Sequence, residues 1–135
     1  MSVAVDTNVL FRALVDDPGA PEQSAAARAR LHQAGAAWVP LVVTVELVWV
    51  LARAARLSRA AISDLLQHLL DNHAWTLQGA DKVSAALALW REGPADFADY
   101  LIWVEAQTEG HVLLSFDRQL AATPGVEVPA HVKKR

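Results

Sequence analysis

The sequence contains no cysteine. That excludes a disulfide framework and a thiolate zinc site, and it suits a reducing cytoplasm. No basic, apolar leader follows Met1, so no secretory signal is expected. The longest apolar stretch, Ala36–Leu51, is too short for a membrane span and carries Glu46 inside it. A soluble cytoplasmic protein with no membrane association is the expectation. Internal repeats, low-complexity segments and linkers are also missing. The five histidines (His32, His68, His73, His111 and His131) show no ligand spacing and read as surface or loop residues. An excess of positive charge is lacking too: the formal net charge is −3, which argues against a generic nucleic-acid binder. A metal-dependent nuclease escapes that argument, because its acids are spent on the metal rather than on the surface.

What is present is a chain of 135 residues, enough to bury a core within one domain. Strand-like and helical segments alternate, which predicts an α/β fold. Residues 1–130 are expected to form a single domain, and 131–135, ending Lys133-Lys134-Arg135, a disordered basic tail. Strands are predicted at Val3–Asp6, Ala37–Val39, Ala74–Leu77, Val112–Ser115 and, as an edge strand, Val126–Val128. Helices are predicted at Thr7–Val15, from Pro21 to about Ala34, Leu41–Ala55, from Ser58 onward, Asp81–Arg91 and Phe97–Glu109, with a short one after Asp117. Leu41–Ala55 is apolar nearly all round. Such a helix is buried or shared with a partner chain.

Four segments each place an acid in a mostly apolar setting: Asp6, Glu46, Asp96/Asp99 and Asp117. Asp6 ends the first strand, where open α/β sheets carry their ligand sites. It would serve equally as a plain N-cap for the next helix. Glu46 sits among Val43, Val45, Leu47, Val48 and Trp49, and burying it there is costly unless it is paired or metal-bound. The plainer reading is a polar stripe facing solvent, or a pair with Arg53. Asp117 ends an apolar strand as Asp6 does. Strand-end acids on neighbouring parallel strands would lie side by side, since strands run about 4.8 Å apart. Such carboxylates repel unless a cation holds them ionised. Hard oxygen ligands without Cys or clustered His favour Mg²⁺ or Mn²⁺, and such a site suits water activation and phosphoryl chemistry. Thr7, Asn8 and Ser115 are candidates to hold the carboxylates in place, or simply to cap helices and strand ends. The five tryptophans read as core and interface anchors more readily than as base-stacking platforms. Arg28, Arg30, Arg53, Arg56 and Arg59 form either a basic rim for a phosphate backbone or a solvated face.

Four stretches together resemble the PIN-domain nucleases, and among them the VapC-type toxins of prokaryotic toxin–antitoxin pairs. They are Val5-Asp6-Thr7-Asn8-Val9-Leu10, Glu46-Leu47-Val48-Trp49-Val50-Leu51, Ala95-Asp96-Phe97-Ala98-Asp99-Tyr100-Leu101-Ile102 and Leu114-Ser115-Phe116-Asp117-Arg118. The resemblance implies a three-layer sandwich with a central parallel five-stranded sheet flanked by helices. It also implies Mg²⁺- or Mn²⁺-dependent endoribonuclease activity, with Asp6, Glu46, Asp99 and Asp117 matching the family's catalytic, metal-binding quartet. By the same resemblance the protein would be a homodimer held inactive by a cognate antitoxin, cutting tRNA or ribosomal RNA and so blocking translation. Tyr100 and Trp103-Val104-Glu105 depart from the smaller residues that family members often carry there.

Three other functions compete. A PIN domain turned binding or scaffold module would have lost one of these acids, and none is missing. An RNA-processing PIN nuclease that is not a toxin would carry the same residues. A receiver-like Mg²⁺-binding signalling domain would need paired acids after the first strand and a late lysine; Asp6 stands alone and the only internal lysine is Lys82. Between Asp96 and Asp99, helical geometry favours Asp99 as the metal ligand. It shares an arc with Ile102, Trp103 and Ala106, and that arc is expected to turn inward. Asp96 is expected to bond a backbone N–H as N-cap and to reach the metal only through water. Trp49, Val50 and the rest of the Leu41–Leu51 helix offer more apolar surface than a small domain covers alone, which favours a dimer.

Overall fold

The computed structural model describes residues 2–130, so the expected tail at 131–135 lies outside the described residues. The chain divides into two compact units, residues 1–80 and 81–135. Among the described residues there are five strands and seven helices, and all strand pairing is parallel. The α/β fold expected from the alternation of segments is therefore present.

The first unit runs β1 (Val3–Ala4), α1 (Thr7–Leu14), α2 (Pro21–Ala34), β2 (Ala37–Val39), α3 (Leu41–Arg53), α4 (Arg59–Asp71) and β3 (Trp75–Leu77). Its sheet has the order β1-β2-β3, with Val3 opposite Ala37 and Trp38 opposite Thr76. Two helices fill each crossover, as parallel strands require. Local chemistry sets the helix ends. Pro21 opens α2, where a missing N–H costs nothing. Gly35 closes it at φ +79°, a conformation a side chain would resist. The Ser58 hydroxyl accepts from the Ala61 N–H at 3.1 Å and starts α4. Val43, Leu47 and Leu51 fall on one face of α3, and Ile62, Leu66 and Leu69 on one face of α4; all are buried. Truncating any of the fully buried leucines to Ala would cost about 2–5 kcal/mol.

The second unit runs α5 (Ala80–Glu92), α6 (Phe97–Thr108), β4 (Leu113–Leu114), α7 (Arg118–Ala121) and β5 (Val126–Glu127). β4 and β5 pair with Leu113 opposite Val126. Trp90 packs edge-on against Phe97, with ring centroids 5.8 Å apart, and Val83, Leu87, Tyr100, Leu101 and Val104 complete this core. A Cβ on Gly93 would lie 1.8 Å from the Tyr100 hydroxyl, so the turn between α5 and α6 admits only glycine.

The five expected strands are all found, hydrogen-bonded as a sheet of three and a sheet of two. All but β2, which matches its expected bounds, are shorter than the sequence suggests, because β-branched and apolar residues mark extended chain beyond the regular ladder. The Val5 N–H still donates to the Trp38 carbonyl at 3.1 Å, and the Ser115 N–H to the Glu127 carbonyl at 3.0 Å. Extended backbone thus continues past β1 and β4 towards Asp6 and Asp117. Among the described residues no helix is long and apolar enough to cross a membrane.

Candidate metal centre

Asp6 follows β1 with extended backbone and caps α1: its Oδ1 accepts from the Val9 N–H at 2.9 Å. Capping and ligation are compatible, since a carboxylate has two oxygens and the helix takes one. Thr7, the next residue, donates its hydroxyl to Glu46 Oε1 at 3.1 Å, across 39 residues of sequence. One helix start therefore orients both acids of the first unit.

Glu46 is exposed, which corrects the expectation of a costly buried carboxylate. The reason is rotational. At 100° per residue, Val43, Leu47, Val48 and Leu51 take the core face of α3. Val42, Glu46, Trp49 and Arg53 are left on the solvent face. Val42 and Trp49 are 64% and 61% exposed, and the Arg53 guanidinium lies 5.4 Å from the Trp49 ring centre.

In the second unit Asp117 follows β4 and caps α7, its Oδ1 accepting from the Gln119 and Leu120 N–H groups at 2.8 and 3.3 Å. The Ser115 hydroxyl accepts from the Asp117 N–H at 3.0 Å, so this serine fixes the backbone rather than the carboxylate. Asp99, in the first turn of α6, lies close enough to Asp117 and Asp96 to feel their charge. Its carboxyl is held above the usual carboxylate range, first by burial, then by the negative charges of Asp117 and Asp96; a bond from the Asp96 backbone pulls the other way.

Two expectations about α6 are corrected. Its buried stripe is Phe97, Tyr100, Leu101 and Val104. Asp99 lies on the flank of that stripe, half-buried, beside an arc where Ile102 is exposed. Large apolar residues outcompete it for the core face. Asp96 occupies the N-cap position, but its side chain makes no capping hydrogen bond and is exposed. Its backbone N–H acts on the Asp99 carboxyl instead, drawing that pKa down against burial and like charge.

The other candidates are placed as follows. Asn8 is exposed and lines a cleft between α1 and α2. Arg28 bonds the Ala13 carbonyl and pairs with Asp16, a structural role. His32, His68, His73 and His111 are exposed, as expected, and His131 lies outside the described residues. Of the tryptophans, Trp90 is core while Trp38 and Trp49 are exposed. Sequence reasoning missed Arg12, which bonds Asp17 and also donates to Gln23 Oε1 at 3.0 Å. No periodicity links these three positions; the Asp-Asp-Pro-Gly turn that brings Asp17 back was the available signal.

The sequence pattern of the PIN domain matches residues 3–126. The chain belongs to this family. PIN domains are metal-dependent nucleases that act on nucleic acid. No curated protein matches the chain. Among the described residues of this PIN domain, no group of three or more His, Asp or Glu side chains is placed to hold a metal, so neither unit has such a group. Each supplies a pair of carboxylates instead. Within each unit the chemistry suits a hard divalent cation, being carboxylate oxygens alone: one oxygen of Asp6 and one of Glu46 are pinned by donors in the first unit, and one of Asp117 in the second. The mutual repulsion of Asp99 and Asp117 is the kind a cation relieves.

Proposed function

We propose that this PIN domain is an endoribonuclease dependent on Mg²⁺ or Mn²⁺, with residues 1–130 acting as one cytoplasmic domain. Asp6, Glu46, Asp99 and Asp117 would hold the metal, with Asp96 contributing through water. The reading rests above all on Asp99, whose carboxyl is pushed up by burial and by the neighbouring charges of Asp117 and Asp96, as in carboxylates that lack a counter-charge. A hard divalent cation supplies that charge, and with it activation of water and neutralisation of the phosphoryl group. The residues do the positioning. The α1 amide at Val9 orients Asp6, Thr7 orients Glu46, and the α7 amides orient Asp117. The test is cleavage of total RNA by purified protein. Activity with Mn²⁺ that is lost in EDTA and in Asp6→Asn is expected; cleavage surviving both overturns the reading.

The finer role we propose is that of a VapC-type toxin, which forms a homodimer and is silenced by an antitoxin, with tRNA or ribosomal RNA as substrate. The exposed Val42 and Trp49 on α3 support a protein partner, since soluble surfaces seldom leave such residues clustered. Light scattering at micromolar concentration tests the dimer. Growth arrest on expression, relieved by the product of a neighbouring gene, tests the toxin role. Cleavage without growth arrest favours an RNA-processing nuclease. The receiver-like alternative has no support once the family is known.

A further inference from the structure

Between α1 and α2 lies a cleft of ≈ 420 Å³ that begins at Asp6. Its walls are apolar and small: Val9 on one side, Ala26 and Ala27 on the other. Alanines at these α2 positions leave space that longer side chains would fill. The polar groups at its edge are Asn8, Arg12, Gln23 and Arg30.

These groups are arranged to donate. Asp17 is anchored by the Gly19 N–H at 2.8 Å and holds Arg12. Arg12 in turn donates Nε–H to Gln23 Oε1. Guanidinium nitrogens only donate, so the Gln23 oxygen is identified as the occupied atom, and its amide NH₂ is left for a ligand. The arginines of this face divide in the same way. Arg12 and Arg28 are paired with Asp17 and Asp16, whereas Arg30 makes no ion pair among the described residues.

We infer that this cleft binds one nucleotide of the RNA substrate, next to the scissile phosphate. The inference rests on the nuclease reading, because it takes Asp6 as a catalytic acid. Arg30 contacts the nucleotide's phosphate, Gln23 donates to an acceptor on the base edge, and Val9, Ala26 and Ala27 receive the base or sugar face. The volume lies within the range of small-ligand pockets. A nucleotide brings an anionic phosphate for Arg30 and base-edge acceptors for the Gln23 amide, while Asp6, the one acid in the lining, lies where the nuclease reading places the metal. A neutral peptide backbone brings no anion for Arg30.

The test uses Arg30→Gln, Gln23→Ala and Ala27→Trp in the full chain, with thermal melts to confirm folding. A short unstructured RNA of mixed sequence is the probe. With Mn²⁺, Arg30→Gln should lower kcat/KM about tenfold, chiefly through KM, as expected for one charge-assisted contact. Gln23→Ala should flatten the base preference at one nucleotide beside the cut. In EDTA, the salt dependence of binding should fall by about one counterion in Arg30→Gln. Unchanged KM, base preference and salt dependence in folded variants overturn the inference while leaving the nuclease reading intact. Binding that depends on Arg30 without any cleavage by the wild type overturns the nuclease reading instead. If Ala27→Trp cleaves RNA normally but escapes inhibition by a protein partner, the cleft is a protein groove and the inference fails.

Discussion

The two halves of this protein hold their acids by opposite means. In residues 1–80, Asp6 and Glu46 are exposed, and neutral donors from Val9 and Thr7 orient them separately. In the second unit, Asp99 lies near Asp117 and Asp96, and burial with like charge holds the Asp99 carboxyl up. The first pair is preorganised without conflict. The second stores a conflict that a cation resolves.

The largest expected effect tests the second pair. Asp99→Asn should lower metal-dependent RNA cleavage at least about a hundredfold, since even residues that merely support ligands cost 10–100-fold. Without metal the same change should stabilise. A carboxyl whose folded pKa is raised opposes folding once ionised. The penalty is absent well below the ordinary value of 3.8 and complete above the raised value. Melts in EDTA should therefore show Asp99→Asn above wild type at neutrality and converging with it in acid. A lower Tm at neutrality would remove the contrast between the pairs.

Asp6 offers the next test. Asp6→Asn and Asp6→Ala should both abolish cleavage, but only Ala loses the cap. Asn is as good an N-cap as Asp, so denaturant unfolding should separate the two by about 0.5–2 kcal/mol. Equal stability would show that the bond to Val9 contributes nothing. Thr7→Val removes the hydroxyl that orients Glu46 while keeping its shape. Calorimetric Mn²⁺ titration should show affinity about tenfold weaker, with a near-normal melting temperature. The smallest effect belongs to Asp96. Its side chain makes no capping bond, so Asp96→Ala should change stability by less than about 0.5 kcal/mol. A larger loss on denaturant unfolding would mean that the side chain does cap α6.

Much of this was written locally. Pro21, Gly35 and Ser58 mark helix ends wherever the chain folds, because caps and left-handed stops act within a few residues. The acids at Asp6 and Asp117 were legible for the same reason, each ending an apolar run. Glu46 was legible as an acid in an apolar helix, but its environment was not. Neighbours in sequence point to different faces of a helix, and only packing chose the face.

The sequence by itself determined the order of elements, the α/β class, the absence of thiol chemistry and the inventory of carboxylates, all set by composition and short-range stereochemistry. Tertiary structure alone decided which oxygens are occupied. Thr7 finds Glu46 across 39 residues, Arg12 finds Asp17 and Gln23 around a turn, and Asp99 finds Asp117 across β4. Hydrogen bonds and like-charge repulsion act over a few ångströms, and chain distance carries no record of them. Which carboxylates are free, and which arginine is left for a ligand, is for that reason a property of the fold.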